Sequence, residues 1–411
     1  MITKKKESPL SFKITARDKR SRARTGILKT KSGKIETPYL IPVATKARII
    51  ALNKKDIKNL NIKCILANTY HLHLKPGDKL IKNSGGLNKF MDFKGIIFTD
   101  SGGFQTLSLG EAKRTGYTKL GKNQEREKMI LKNEKKPSFV KITDKGIQFK
   151  SVYDNSLHFI GPKESMKIQS NLGSDVIMAF DECTPANKSF SYQKTALTRT
   201  NKWAVLSLKY HNPKQALYGI IQGGQFKNLR IKSAKFISSL PFDGIAIGGS
   251  FGESYGDSKR AMHQIIDWIS QYLDDRPVHM LGIGWIDDLF ECVSRGIDTF
   301  DCVHPTRIAR HKQLYISLES GGNKENKFTI KIVKGRYKND KTKIDKNCRC
   351  STCKHYTRAD LYRLAKEKNN NNDYAKLATI HNLHFMLNLL KQIRKSIKAG
   401  KFQKLKKHWL K

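Results

Sequence analysis

The stretch Ile96-Ile97-Phe98-Thr99-Asp100-Ser101-Gly102-Gly103-Phe104-Gln105 decides the fold class of this chain. Its apolar, partly β-branched beginning predicts a buried parallel strand, which ends abruptly at the carboxylate of Asp100. In the Ser-Gly-Gly turn that follows, glycine lets the backbone approach a ligand closely, and Phe104 offers a flat ring beside it. Functional residues of α/β folds collect where strands end in this way. Asp100 is therefore a candidate functional residue, although an aspartate in this position can also simply stabilise a turn.

Seven further segments show the same pattern, in which an apolar strand closes with polar or glycine residues. They are residues 37–44, 62–68, 176–180, 217–221, 244–247, 279–283 and 299–303. Predicted helices lie between most of these strands. About eight strands that alternate with helices predict an α/β fold, the (β/α)8 or TIM barrel. An open, doubly wound sheet is the competing architecture, but a barrel would gather the polar strand ends at one shared rim.

The chain divides into two predicted parts. Residues 1–335 are expected to form the catalytic barrel, and residues 336–411 an appended zinc-binding subdomain with a C-terminal helix. Within the first part, residues 113–136 are rich in Lys, Arg, Glu and Asn and show little periodicity. This composition predicts an exposed, lysine-rich insertion rather than an element of the barrel.

The chain carries a large excess of positive charge. Its 79 Lys and Arg residues against 35 Asp and Glu residues give a net charge of +44. This charge indicates a polyanionic partner, either nucleic acid or an anionic membrane, although a lysine-rich proteome would explain part of the excess. No apolar run is long enough to span a bilayer, and no signal-like apolar segment follows Met1. We therefore expect a soluble, cytoplasmic protein without a membrane partner.

Three cysteines lie close together near the C-terminus. Cys348, Cys350 and Cys353 are followed by His381 on a predicted helix. Three thiolates and one imidazole complete a closed tetrahedral zinc site, which is structural because no position remains for water. A redox-active cysteine cluster is the alternative, and helical geometry alone would also admit His384 as the fourth ligand. The sequence thus predicts one structural Zn²⁺ per chain, held by the three cysteines and His381.

Carboxylates stand at the ends of three predicted strands. Asp100, Asp181 and Asp301 each accompany an apolar strand, so a barrel would bring them to one mouth. Carboxylates in such a place can bind a metal, transfer protons or act as nucleophiles. A hydrolase with a second metal would need further ligands, and no histidine near these aspartates has the spacing of a metal ligand.

A purine suits this set of residues. Guanine presents an N1–H and an exocyclic amine, which a carboxylate can accept together, and its O6 accepts from an amide or a backbone N–H. Gln222 and the Gly248-Gly249 backbone supply such donors, and Phe104 could stack on the ring. The residues alone therefore favour recognition of guanine at a carboxylate-lined rim.

Several motifs then match one known family in the same order. They are TDSGGFQ (99–105), SDVIMAFDECTP (174–185), YGIIQGG (218–224), IGG (247–249), LGIG (281–284), RGIDTFDCVHPTR (295–307) and CRCSTC (348–353). Over nearly the whole chain they resemble the tRNA-guanine transglycosylases of bacterial type. The resemblance implies a zinc-bearing (β/α)8 barrel that exchanges guanine-34 of a tRNA anticodon for a 7-deazaguanine base in queuosine biosynthesis. It also implies a homodimer.

The resemblance further implies a role for individual residues. Asp301 would be the nucleophile that forms a covalent intermediate with tRNA, and Asp100 would be the general acid/base. The substrate-binding residues would be Ser101, Gly102, Gly103, Phe104, Asp181, Gln222 and Gly249. The RNA-binding residues would be Gly282, Ile283, Gly284, Trp285, Ile286, Asp287, Asp288, Thr306, Arg307, Ile308, Ala309 and Arg310.

The incoming base is expected to be the aminomethyl base preQ1, with queuine as the alternative. Cys183 matches the pattern of family members that use preQ1, and Glu253 could accept from the aminomethyl cation. The loop Ser250-Phe251-Gly252-Glu253 is shorter than in most bacterial members, which would leave room for the bulkier queuine.

Two functions without catalysis compete with this interpretation. A non-catalytic member of the same family would keep the cysteine motif but lose the aspartates, and all three aspartates are present. A plain basic RNA-binding module would not need a rim lined with carboxylates. The sequence therefore favours an enzyme, a glycosyltransferase of the pentosyltransferase class.

Overall fold

Eight parallel strands close into a barrel, and they are numbered β1 to β8 in chain order. Their bounds are β1 Tyr39–Ala44, β2 Cys64–Ala67, β3 Ile96–Thr99, β4 Val176–Met178, β5 Ala216–Ile221, β6 Gly244–Ile247, β7 Val278–Met280 and β8 Thr299–Cys302. The structure is a computed structural model, and it describes residues 8–104, 117–118, 121–122, 139–251, 255–367 and 371–411. The closed sheet confirms the predicted (β/α)8 barrel and excludes the open, doubly wound alternative.

The packing of β3 shows why the stretch around Asp100 belongs to a barrel. All residues of β3 are buried, and parallel neighbours on both sides, β2 and β4, leave it without an exposed edge. Successive side chains of a strand point to opposite faces. Ile96 and Phe98 therefore pack inside the barrel with Tyr218, whereas Ile97 packs with residues of the covering helices. Asp100 directly follows β3, which places it at the carboxyl-terminal rim.

Helices cover the outside of the barrel and connect its strands. Among the described residues, the helices between β1 and β8 are Lys54–Asn59, Thr69–Leu74, Asp78–Asn83, Leu87–Met91, Pro162–Leu172, Phe190–Tyr210, Lys227–Ser239, Tyr255–Ile269 and Ile286–Ser294, with the short 3-10 helix Ser270–Tyr272. Helix Pro162–Leu172 follows local rules, since proline occupies its first position and Gly173 ends it with a φ of 72°. Among the described residues, no helix is both long and apolar enough to cross a membrane.

An antiparallel sheet closes the amino-terminal end of the barrel. Its strands are Ser11–Arg17, Arg24–Thr30 and Gly33–Thr37. Aspartates that directly precede barrel strands join this sheet to the barrel. Asp175 accepts from the Ser32 hydroxyl at 2.7 Å and from the Ile97 N–H at 2.9 Å, and Asp298 pairs with the buried Arg24 guanidinium at 2.7 Å. Carboxylates at this end of the barrel stabilise the fold and lie away from the carboxyl-terminal rim.

Two insertions lie between β3 and β4 in the chain. One is an antiparallel sheet of Val140–Thr143, Gly146–Lys150 and Leu157–Ile160. In the other, the short strands Tyr117–Thr118 and Gly121–Lys122 pair with each other. The remainder of the predicted lysine-rich insertion at 113–136 lies outside the described residues.

The chain after β8 builds a second, smaller cluster against the barrel. The elements in this part of the chain are His304–Arg310, Gln313–Tyr315, Leu318–Ser320, Thr329–Lys331, Gly335–Tyr337, Ser351–His355, Arg358–Lys366, Asn371–Lys398 and Phe402–Trp409, of which the last packs with the layer around the barrel. The long helix Asn371–Lys398 packs in two places: Tyr374 and Ala378 lie with the clustered cysteines, whereas Leu389 and Ile393 join the layer around the barrel. The predicted division of the chain at residue 335 stays a prediction.

Candidate active site

The carboxylate of Asp100 is held by the start of the helix that follows β2. The Thr69 N–H donates to Asp100 Oδ1 at 2.8 Å, and the Asn68 amide donates to Oδ2. The oxygen of the same Asn68 side chain caps helix Thr69–Leu74 by accepting from the His71 N–H at 3.0 Å. Asn68 thus connects the geometry of Asp100 to the start of a helix.

Asp301 lies on β8, and donors from β7 and the loop after it hold its carboxylate. The Gly282 N–H donates to Asp301 Oδ1 at 2.8 Å, and His279 Nε2 lies 3.2 Å from the same oxygen. His279 is fully buried, and its Nδ1 lies 2.9 Å from Thr299 Oγ1. The one signal in the sequence that could have identified His279 is its position as a polar residue within an apolar strand.

The two carboxylates are close enough to affect each other. Burial raises the pKa of Asp100 to about 7; the Asp301 charge also raises it, whereas the hydrogen bond from the Thr69 N–H lowers it. A carboxyl with this pKa can both give and take a proton near neutral pH. Of two neighbouring carboxylates in different environments, one can therefore transfer protons while the other, ionised, attacks an electrophile.

A second group of polar side chains joins the loops after β3, β4 and β5. The Ser101 hydroxyl donates to Asp181 Oδ1 at 3.0 Å, and Gln222 Nε2 donates to Asp181 Oδ2 at 2.7 Å. All three side chains are buried. Within the described part of the chain, Gln222 Oε1 has no hydrogen-bond partner. The structure therefore brings together three of the predicted substrate-binding residues, which are far apart in the sequence.

Gly249, just after β6, lies against this group and against a buried arginine. Its φ is +117°, and an added Cβ would lie 2.5 Å from Arg230 Nη2 and 3.0 Å from Gln222 Oε1, so only glycine fits. Arg230 is fully buried and donates to the carbonyls of Gly224 and Gly248, both at 2.8 Å. Arg230 thereby fixes the loops after β5 and β6 relative to each other. Sequence reasoning misses it because its partners are backbone atoms.

The remaining predicted substrate-binding residues form the turn after Asp100. Gly102 has a φ of +80°, and an added Cβ on Gly103 would lie 2.7 Å from the Asp181 carbonyl oxygen. The close approach of the loops after β3 and β4 therefore requires glycine at position 103. Phe104 is partly exposed at the end of this turn.

The predicted RNA-binding residues fall in two segments on either side of β8, and many of them are buried. The buried ones are Ile283, Gly284, Ile286, Asp288, Thr306, Ile308 and Ala309. Those that keep exposed surface are Gly282, Trp285, Asp287, Arg307 and Arg310. The Lys327 Nζ lies 5.2 Å from the centroid of the Trp285 ring. Within these segments, the side chains that are placed to contact an RNA are therefore those of Trp285, Asp287, Arg307 and Arg310.

The three clustered cysteines and His381 form a buried group outside the barrel. Their donor atoms all lie within 4.8 Å of one another. His381 Nδ1 lies 3.6 Å from Cys348 Sγ, 3.7 Å from Cys350 Sγ and 3.2 Å from Cys353 Sγ. In a tetrahedral zinc site, bond lengths of about 2.3 and 2.0 Å put sulfur and nitrogen roughly 3.5 Å apart. The number, type and spacing of these donors therefore fit a metal ion.

The neighbours of the two histidines distinguish between them. His381 Nε2 lies 2.7 Å from the Tyr315 carbonyl oxygen, so Nε2 carries the hydrogen and Nδ1 faces the thiols as an acceptor. His384 Nδ1 lies 3.4 Å from Cys348 Sγ. The four residues whose donor atoms all lie within 4.8 Å of one another, however, include His381 and not His384.

The fold and the site define a (β/α)8 barrel with two interacting carboxylates at its carboxyl-terminal rim and an attached group of three cysteines and one histidine that could hold a metal ion. The family model for queuine tRNA-ribosyltransferase matches residues 18–411. The chain belongs to this family, the tRNA-guanine transglycosylases, as its motifs predict. Membership confirms an enzyme of the glycosyltransferase class whose family acts on tRNA.

Individual relatives are similar over almost their whole length. A protein from Archaeoglobus fulgidus, provisionally described as a queuine tRNA-ribosyltransferase, is 46% identical over 409 residues, which cover 98% of this chain and 99% of the relative. The queuine tRNA-ribosyltransferase of Roseiflexus sp. is 39% identical over 415 residues, covering 98% of this chain and 99% of its own. That of Caldanaerobacter subterraneus subsp. tengcongensis is 39% identical over 405 residues, covering 98% and 97%.

Proposed function

We propose that this enzyme exchanges guanine-34 of a tRNA anticodon for a 7-deazaguanine base through a covalent bond between Asp301 and the RNA. The observation that carries the proposal is the pair of carboxylates, Asp100 and Asp301, held at one rim by separate sets of donors. Incorporation of labelled guanine tests it directly. We expect incorporation into a tRNA with guanine at position 34 and none into the same tRNA with adenine there. No incorporation into the guanine-34 tRNA would overturn the proposal.

In the first half of the reaction, a carboxylate oxygen of Asp301 attacks C1′ of the ribose. The bond between C1′ and the guanine nitrogen breaks, its electron pair stays with guanine, and Asp100 supplies the proton that guanine takes up. The transition state resembles an oxocarbenium ion, as in retaining glycoside hydrolysis. The guanine must leave the base stack to reach the rim, which a single-stranded anticodon loop permits.

In the second half, the incoming base replaces guanine. It gives a proton to Asp100, attacks the same C1′ from the face that guanine left, and releases the Asp301 carboxylate. Asp100 thus donates one proton and recovers one, which suits a carboxyl whose burial raises its pKa to about 7.

Recognition of the purine is proposed for the buried polar group behind the carboxylates. Asp181 would accept from N1–H and from the exocyclic amine, since a carboxylate oxygen can accept more than one hydrogen bond. Gln222 Nε2 and the Gly249 N–H would donate to O6. Phe104 would stack on the ring, and Ser101 would keep Asp181 in place.

For the incoming base, we propose preQ1 rather than queuine. Cys183, two residues after Asp181, is buried. The fully buried ring of Phe251 lies 5.6 Å from the Arg230 guanidinium beside Gly249. We take both side chains to limit the room for a bulky base. Residue Glu253, the proposed partner of the aminomethyl cation, lies outside the described residues. In competition on guanine-34 tRNA, we expect kcat/KM for preQ1 to exceed that for queuine by at least about tenfold. A higher value for queuine would reverse this choice and leave the transglycosylase proposal intact.

We propose that Cys348, Cys350, Cys353 and His381 hold one structural Zn²⁺ per chain. A bound zinc ion would stabilise the small cluster by joining Ser351–His355 to the long helix Asn371–Lys398. Removal by a chelator is expected to lower the thermal unfolding midpoint, and zinc, but not Mg²⁺, is expected to restore it. Metal analysis of the untreated protein is expected to find one zinc ion per chain. A metal-free protein that stays folded and fully active would contradict the proposal.

RNA binding is proposed at the partly exposed residues beside β8, with Arg307 and Arg310 contacting phosphates. We expect tRNA affinity to fall steeply with salt, by on the order of 10³-fold between 50 and 200 mM for about six phosphate contacts. Arg307→Ala should reduce the slope of log affinity against log salt by about one. Lys214→Ala is the matched control, because Lys214 is exposed just before β5 at the opposite end of the barrel. A flat salt dependence would show that the net charge does not drive RNA binding.

The division into a barrel at 1–335 and a zinc-binding subdomain at 336–411, a homodimeric state and a cytoplasmic location complete the proposal. They rest on the resemblance to the family. Analytical ultracentrifugation at several protein concentrations would test the homodimer, and a monomer at all of them would contradict it.

A further inference from the structure

His279 occupies an unusual place for a histidine, because it lies inside the barrel. It is fully buried on β7, and its ring centroid lies 5.8 Å from that of Phe98 in the apolar interior. Each ring nitrogen nevertheless has a polar neighbour: Nδ1 lies 2.9 Å from Thr299 Oγ1, and Nε2 lies 3.2 Å from Asp301 Oδ1. The imidazole therefore bridges two residues of the neighbouring strand β8.

The chemistry of the partners decides which nitrogen carries the hydrogen. In a neutral imidazole one nitrogen donates and the other accepts. An ionised Asp301 can only accept, so Nε2 must carry the hydrogen, and Nδ1 must then accept from the Thr299 hydroxyl. Thr299 is itself fully buried, so its hydroxyl is held beside the imidazole. The Thr299 hydroxyl, which can either donate or accept, satisfies Nδ1 by donating to it and so stabilises the tautomer that Asp301 requires.

Two groups that can donate to Asp301, the Gly282 N–H and His279, lie against the same carboxylate oxygen. The Gly282 N–H reaches Oδ1 at 2.8 Å, and His279 Nε2–H reaches it from β7. One donor allows a carboxylate to swing about its Cβ–Cγ bond, whereas two donors from different directions on one oxygen fix that torsion. Fixing Oδ1 also fixes the direction of Oδ2.

We propose that His279 is a positioning residue for Asp301, oriented in turn by Thr299. This inference rests on the proposed function, because it takes Asp301 to be the nucleophile. His279 touches neither the base nor the ribose in this role. It holds the carboxylate in the orientation from which an oxygen can attack C1′, where a displacement of about 1 Å can cost on the order of 10²-fold in rate.

The test measures the rate of adduct formation with saturating tRNA in a single turnover. His279→Phe keeps a ring of similar shape without donors, and we expect it to slow adduct formation by about tenfold to a hundredfold. His279→Gln can place an amide N–H near the position of Nε2, and it should recover most of the rate. KM for guanine should change by less than about threefold, because a positioning residue acts on the chemical step.

Thr299 supplies a second test that leaves His279 in place. Thr299→Val removes the hydroxyl without changing the shape of the side chain, and it should also slow adduct formation. Thr299→Ser keeps the hydroxyl and should be faster than Thr299→Val. Thermal unfolding would show whether His279→Phe folds. If it does not, the rates of adduct formation in His279→Gln, Thr299→Val and Thr299→Ser still test the positioning role.

The outcomes separate this inference from the proposed function. If the unaltered enzyme forms no adduct with tRNA, the proposed function fails. If it forms the adduct and His279→Phe or Thr299→Val forms it at the same rate, only the positioning role is overturned. A loss in His279→Phe that appears entirely in KM would also overturn it.

Discussion

Asp301→Asn is expected to abolish the denaturation-resistant adduct with tRNA and to reduce guanine exchange by at least about 10⁴-fold. An asparagine can keep the hydrogen bond from the Gly282 N–H, but its amide oxygen is a much poorer nucleophile than a carboxylate oxygen. The adduct is measured with labelled guanine-34 tRNA on a denaturing gel, and exchange is measured by incorporation of labelled guanine.

Asp243→Asn provides the control for this substitution. Asp243 directly precedes β6 at the amino-terminal end of the barrel, where it accepts from the Ser8 hydroxyl and from the Leu217 N–H. Its replacement should lower thermal stability while the folded enzyme forms the adduct at the usual rate. An adduct that persists undiminished in Asp301→Asn would show that another residue is the nucleophile.

Asp100→Asn is expected to slow adduct formation by about 10²- to 10⁴-fold without abolishing it. An asparagine can occupy the site formed by Asn68 and Thr69, but it cannot give a proton to the departing guanine. The nucleophile remains in place, so the adduct should still accumulate over a long incubation. The measurement is the single-turnover rate of adduct formation at saturating tRNA.

The pH dependence of the same rate tests the acid role of Asp100. Burial disfavours the charged form and raises the pKa of Asp100 to about 7, so the carboxyl stays protonated below that pH and loses its proton above it. The rate should therefore be level below about pH 7 and fall about tenfold for each pH unit above it. Asp100→Asn should remove this fall. A rate that rises through pH 7, or the same fall in Asp100→Asn, would contradict the assignment.

Much of the fold follows from the sequence because its causes are local. The alternation of apolar strands and helices sets the (β/α)8 class, and chain direction decides which end of a strand each aspartate occupies. Asp100, after β3, is thereby distinguished from Asp175, before β4, without any knowledge of contacts. The three closely spaced cysteines likewise identify a possible metal site from spacing alone.

Other features depend on residues that are distant in the chain, and only the tertiary structure decides them. His279 and Arg230 carry no motif, and their importance appears only when Asp301 and the Gly248 carbonyl are brought against them. The choice of His381 over His384 depends on which ring faces the three sulfurs, and helical periodicity places both histidines nearby.

The sequence by itself determined that this chain is a barrel of the tRNA-guanine transglycosylase family with aspartates at its strand ends. The tertiary structure decided what surrounds those aspartates. Burial of Asp100 beside Asp301 raises its pKa, and burial of residues such as Asp288 and Ile308 removes their side chains from the surface that RNA can reach. Burial and the neighbouring charge result from strands that meet only in the closed barrel, so no local pattern of residues encodes them.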